Sequence, residues 1–330
     1  MDKKFRILSI DGGGLRGLVP LLILKEIEKI TGKKIYELFD LIVGTSTGGI
    51  VACGLTATKD GKTPLLSIDK LIELYTTKGS VIFPYKDNIF TKINSVFNPK
   101  FCPDGLDKSL KEYFGELRLS NTLKPIIATS YDIRNNEVIM FKSRKSNEVG
   151  YNSLIKDVCR ATSAAPTYLP SYEMSFAGKQ RTCIDGGVFI NNPALAAVSD
   201  VIRNGYGFED LDVDNISLLS LGTGIYTENI GVKNTKSWGL KDWVKPITDV
   251  MSQATSKVVD YECNELLDTY LRIQVTIDDE NKSDMSDSRI ETTNYLINRV
   301  NTQVLGDVNK INEIKEFFKK TNDGRINIIS

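Results

Sequence analysis

The hydrophobic positions of the first fifty residues change period in the order strand, helix, strand, helix. Phe5-Arg6-Ile7-Leu8-Ser9-Ile10 reads as a strand, and a glycine-rich turn follows it. Leu18, Leu22, Ile23, Ile27 and Ile30 then recur at helical spacing until Gly32, a residue suited to the position just past a helix end. Leu41-Ile42-Val43 is a short, wholly apolar strand between Asp40 and Gly44, and residues 50–55 continue as a buried helix behind it. This βαβ rhythm argues for an α/β domain with a parallel sheet. Further along, the pattern predicts strands over 125–131, 137–142 and 216–221, with a short strand at Thr182-Cys183-Ile184. Helices are expected over 66–78, 153–162, 193–204, 241–267, 291–305 and 310–320.

No internal repeat, low-complexity tract or long linker interrupts the pattern, and 330 residues suffice for one large domain, 1–330. Two stretches lack a period. Residues 278–287, rich in Asp, Asn and Ser, are expected to form a mobile surface loop. Residues 81–105 carry five phenylalanines or tyrosines among prolines and lysines. They read either as a flap over a site, able to touch lipid, or as a long loop whose aromatics pin it to the core.

The 42 basic and 42 acidic residues balance, so binding to nucleic acid by bulk charge is not expected. Five cysteines, Cys53, Cys102, Cys159, Cys183 and Cys263, contain no C-x-x-C pair, which argues against a disulfide framework and against a zinc site. Met1-Asp2-Lys3-Lys4 runs directly into the first strand without the apolar region of a signal peptide, and no apolar run approaches ~18 residues. A cytoplasmic protein, soluble or peripherally attached to a membrane, is the expectation.

Gly44-Thr45-Ser46-Thr47-Gly48 has the G-x-S-x-G form of a nucleophile elbow, in which a serine sits on a sharp strand-to-helix turn between glycines. The usual base for such a serine is imidazole, and the chain contains no histidine. Ser46 is therefore either an ordinary helix cap or a nucleophile activated by a carboxylate or lysine. Asp11 and Asp185 both follow strands and precede glycines, and spacing does not separate them; both also suit the common role of a turn aspartate. Gly12, Gly14 and Gly17 formally satisfy the dinucleotide fingerprint G-x-G-x-x-G, but the second strand ends in the elbow and no ribose-binding carboxylate follows it. Beside an elbow the same loop reads as an anion-binding nest able to hold an oxyanion, where one donor is worth ~3 kcal/mol of barrier.

Three ordered blocks, D-G-G-G-x-R-G at Asp11 to Gly17, G-T-S-T-G-G at Gly44 to Gly49 and D-G-G at Asp185 to Gly187, resemble the patatin-like phospholipase family. Supporting segments at 161–168, 218–224 and 238–243 extend the resemblance across essentially the whole chain. It implies a three-layer α/β fold with a central, mostly parallel sheet flanked by helices. All three motifs fall in a catalytic core over 5–205, and 206–330 complete the same domain. The resemblance further implies Ser46 as nucleophile, Asp185 as its base in a Ser-Asp dyad, and the backbone of Gly12, Gly13 and Gly14 as oxyanion hole, supported by Arg16, Gly44, Gly48 and Gly186. Asn191 and Asn192 are expected to hold the Asp185 turn. The implied reaction is hydrolysis of fatty acyl esters of phospholipids or other glycerolipids, with no cofactor and no metal, and with transient contact to a membrane surface. Rival readings are a non-lipid esterase or acyltransferase sharing the site, a dinucleotide-binding oxidoreductase resting on Gly12 to Gly17, and a storage protein with a relic site. The family also admits control by a small nucleotide, for which these residues carry no signature.

Overall fold

The computed structural model describes residues 4–84, 98–208, 211–226, 235–321 and 324. Its strands are β1 (Phe5–Ile10), β2 (Leu41–Thr45), β3 (Ile126–Asp132), β4 (Glu137–Lys142), β5 (Tyr172–Phe176), β6 (Lys179–Asp185), β7 (Ile216–Leu221), β8 (Ile225–Tyr226), β9 (Thr269–Ile273) and β10 (Thr276–Ile277). The described helices are α1 (Leu18–Thr31), α2 (Ile35–Leu38), α3 (Thr47–Thr56), α4 (Ile68–Thr76), α5 (Gly79–Ile82), α6 (Asp104–Phe114), α7 (Ile155–Thr162), α8 (Ala194–Asn204), α9 (Leu240–Leu266), α10 (Ile290–Val300) and α11 (Val308–Lys320).

The apolar runs that predict β1, β2 and β7 become the middle of the main sheet, ordered β5-β6-β3-β2-β1-β7-β9 with β4 also paired to β3. The β3-β2-β1-β7-β9 part is parallel, and β4, β5 and β6 enter antiparallel. Alternation along each strand divides the core into two faces. Phe5, Ile7, Leu41, Val43, Ile216 and Leu218 pack with residues of α8 and α9 on one side. Leu8, Ile10, Ile42, Leu219 and Leu221 pack on the other with α1, α3, α4, α6, α7 and the C-terminal helices. The result is the expected sandwich of a mostly parallel sheet between helical layers.

One of the two aperiodic stretches differs from the sequence-based expectation, and the other agrees, at its described ends, with the pinned-loop reading. The 278–287 segment is packed: Ser286 and Asp287 are buried, and Met285 O accepts a 2.8 Å hydrogen bond from Leu15 N–H. Its polar composition serves tight turns, since Asp279 and Asp284 accept from the N–H groups of Asn281 and Ser286, and Asp287 holds Arg289 at 2.7 Å. Of the aperiodic 81–105 stretch, residues 85–97 lie outside the described residues. At its described ends the aromatics are pinned to the core. Phe83 meets Phe101 edge-on at 5.1 Å, and Phe101 stacks on Tyr168 at 6.4 Å between ring centroids. Helix α6, which has no counterpart in the predicted elements, begins inside that stretch.

Candidate active site

The site forms where β2 turns away from the sheet. Strands β2 and β3 pair up to Thr45↔Thr129, and the chain then bends at Ser46 into α3. The next positions of β3 are paired on that side by β6, with Ser130 opposite Asp185. Strand β6 thus takes the lane that β2 vacates, and its last residue stands beside the elbow. Ser46 Oγ donates a 2.6 Å hydrogen bond to Asp185 Oδ2.

Local geometry explains the glycines of the elbow. Ser46 has φ 55° and ψ −121°, outside the comfortable region for an L residue. The bend brings Gly44 so close to Gly48 that a Cβ on Gly44 would lie 2.1 Å from a Gly48 backbone carbon. A Cβ on Gly48 would lie 2.2 Å from Ile10 O. The strained peptide is fixed by a threonine ladder that sequence spacing does not reveal: Ser46 N–H donates to Thr162 Oγ1 at 2.9 Å, and Thr162 Oγ1 donates to Thr129 O at 2.6 Å. Thr45 Oγ1 meets Thr129 Oγ1 at 2.8 Å and donates to Ile190 O at 2.7 Å.

Asp185 is buried, its N–H bonded to Ala164 O at 3.0 Å and its Oδ1 accepting from Gly187 N–H at 2.7 Å. Burial pushes its carboxyl up to about 6, against the pull of the hydrogen bonds from Ser46 and Gly187. Gly186 has no room for a side chain, because a Cβ there would lie 2.1 Å from Thr129 Oγ1.

Asp11, the other candidate base, is spoken for. Arg272 of β9 grips both carboxylate oxygens, with Nη1 at 2.9 Å from Oδ1, and also donates to Ser220 Oγ at 2.7 Å. Burial opposes the guanidinium charge and the Asp11 carboxylate more than offsets it, so Arg272 titrates above its ordinary range. Nothing at the level of sequence marks Arg272, which lies 261 residues from its partner.

The glycine turn lies against the elbow: a Cβ on Gly12 would be 3.4 Å from Ser46 Cβ. The three expected donors differ, however. Gly12 N–H is engaged by Asn191 O at 3.1 Å, whereas no hydrogen bond from Gly13 or Gly14 N–H is present among the described residues. The turn is wedged from three sides. Thr223 Oγ1 donates to Gly12 O at 2.7 Å, Arg16 Nη1 reaches Ser283 O at 3.4 Å, and Met285 O fills the space a Gly14 side chain would need. Asn191 thus ties the glycine turn to the Asp185 turn, and Asn192 Oδ1 accepts from Ala194 N–H at 3.1 Å at the start of α8. No cluster of side chains suited to a metal ion occurs among the described residues.

This arrangement can pass a proton from a hydroxyl to a buried carboxylate while offering backbone N–H groups and the N-terminus of α3 to developing negative charge. A family model described as patatin-like phospholipase matches residues 8–198. The chain is 34% identical over 304 residues to patatin-like protein 2 of Arabidopsis thaliana, covering 81% of this chain and 75% of the relative. Patatin-like protein 2 of Oryza sativa subsp. indica is 30% identical, with 98% and 93% covered. Patatin-07 of Solanum tuberosum is 29% identical, with 83% and 77% covered.

Proposed function

Since the chain belongs to the patatin-like phospholipase family, we propose that it hydrolyses fatty acyl esters of glycerolipids through Ser46 and Asp185. The observation that carries this reading is the 2.6 Å bond from Ser46 Oγ to Asp185 Oδ2, in a chain without histidine. Ser46 Oγ attacks the acyl carbonyl carbon as its proton passes to Asp185. The carbonyl oxygen becomes an oxyanion facing the N–H groups of Gly13 and Gly14. Gly12 contributes shape rather than a donor, because its N–H already serves Asn191. Collapse expels the lysolipid alkoxide, which takes the proton from Asp185 and leaves Ser46 acylated. Asp185 then deprotonates a water that releases the fatty acid and restores the serine. Neither a cofactor nor a metal enters any step.

A fluorophosphonate lipid analogue is expected to label Ser46, and Asp185→Asn to remain folded while kcat falls about 10²–10⁴-fold, the range for loss of a general base. Labelling of another serine would remove the dyad. Loss of turnover in a folded Asp11→Asn protein, with Asp185→Asn still active, would exchange the two aspartates. Profiling fatty acid release from defined phospholipids and lysophospholipids then separates phospholipase A from lysophospholipase action.

A further inference from the structure

Helix α9 carries apolar side chains on the face turned away from the body. Trp243, Ile247, Met251, Val258 and Tyr261 are exposed along it, between 36% and 66%. Their spacing places them on one stripe of the helix. The opposite face supplies the anchoring: Ser256 and Cys263 are buried, and Cys263 and Val259 belong to the core beneath the sheet.

The level at which α9 crosses the site fixes where its exposed half lies. Asp260 Oδ1 accepts from Tyr270 OH near the start of β9, and Ser256 Oγ is 3.5 Å from Nδ2 of Asn191, whose carbonyl holds Gly12. The helix therefore descends from the carboxyl edge of the sheet, the edge that bears Ser46, toward the start of β9. The residues of α9 that precede Ser256, 240–255, lead past that edge, with Pro246 placed to bend the run toward its outer end. The chain has two tryptophans, and both stand at this outer end, Trp238 against Trp243 with ring centroids 5.1 Å apart.

We propose that the outer half of α9, with Trp243, Ile247 and Met251, inserts shallowly into a lipid bilayer and seats the mouth of the Ser46 site on the surface that holds its substrate. The proposal rests on the glycerolipid reading above. Tryptophan suits the boundary between head groups and acyl chains, where an apolar ring carries a polar N–H. A helix apolar on its outer face can lie in that boundary without crossing it. No helix among the described residues is long and apolar enough to span a membrane, so attachment of this kind is peripheral. Lipid is favoured over a second copy of the chain because the tryptophan pair stands at the site end of the stripe. A second copy has no such reason to be placed there.

Because Trp243 lies on α9 and Trp238 just before it, packed against Trp243, intrinsic fluorescence reports on this end of the helix. The full-length protein is mixed with vesicles of diether phosphatidylcholine, which offers no ester to cleave. Emission is expected to shift to the blue and to be quenched by brominated acyl chains. Ile247→Ser with Met251→Ser is expected to abolish the shift and to lower turnover of vesicle phospholipid by about tenfold or more, as anchoring by buried apolar surface requires. Turnover of a water-soluble short-chain ester should stay within about twofold, and Val258→Ser, beside the packed half, should change neither readout. Unchanged emission of the wild type on vesicles overturns the proposal. So does an ultracentrifuge result in which the double variant splits a wild-type dimer and vesicle binding is unaltered, since a second copy then covers the stripe. Vesicle binding without hydrolysis of either ester leaves the docking intact and removes the glycerolipid reading instead.

Discussion

The carboxyl of Asp185 titrates near 6 because burial disfavours its charge more than the Ser46 and Gly187 hydrogen bonds favour it. To act as the proposed base it must be ionised, so kcat/KM is expected to climb with pH through about 6 and then level. A pH profile flat from weakly acid to neutral would contradict this. Stability moves the other way. In the unfolded chain the group titrates near its ordinary value of about 3.9, so between there and 6 the folded state holds the extra proton and loses stability as pH rises. Above 6 the full penalty persists, on the order of 3 kcal/mol. Asp185→Asn should therefore raise Tm at pH 8 while destroying turnover, with the gain vanishing toward pH 4 in a thermal-melt series. The neighbouring Thr162 makes a second prediction. Thr162→Val strips Ser46 N–H and Thr129 O of their shared partner, at a cost of about 1–3 kcal/mol in urea unfolding, and lowers kcat by loosening a residue held at φ 55°. Thr162→Ser keeps the oxygen and should restore most of both.

At the scale of elements, the strand lanes decide which aspartate meets the serine. Asp11 and Asp185 look alike in sequence because each ends a strand before glycines. What separates them is β6 replacing β2 beside β3, and β9 delivering Arg272 to Asp11. Strands β1, β2 and β7 are legible as wholly buried apolar runs. Strand β9, Thr269–Ile273, is mostly half-buried and shows neither alternation nor a continuous apolar run, so neither it nor the role of Arg272 can be anticipated. Strand β5 is hidden for a related reason, being short and partly exposed among charged residues, and of β6 only the less exposed end, Thr182-Cys183-Ile184, is legible, its first residues Lys179 and Gln180 being exposed. The loop after β10 misleads through composition: its Asp and Ser residues bond one another, their own backbone and Arg289. The β9 contribution is measurable. Arg272→Met leaves Asp11 buried without its counterion and should cost about 3–5 kcal/mol. Adding Asp11→Asn should recover part of that loss, and a double-mutant cycle without coupling between the two would refute the clamp.

For the whole molecule, the matched family region ends at residue 198, yet the site is completed from beyond it. Strand β1 lies between β2 and β7, so a chain ending at 205 would leave Phe5–Ile10, all six residues buried in the intact protein, as a bare sheet edge. An apolar unpaired edge invites aggregation. Such a fragment would also lack Arg272 against Asp11, Thr223 against Gly12 and the Met285 carbonyl against Leu15. Each of those contacts fixes the turn that faces Ser46. Residues 1–205 expressed alone are therefore expected to aggregate and to resist labelling by a fluorophosphonate. Co-expression with 206–330 should return β7 and β9 to the sheet and restore labelling of Ser46 to a measurable fraction of the intact chain. A soluble 1–205 fragment that unfolds cooperatively and turns over ester by itself would show that the glycine turn needs none of these later contacts, and would make β1 a tolerated edge.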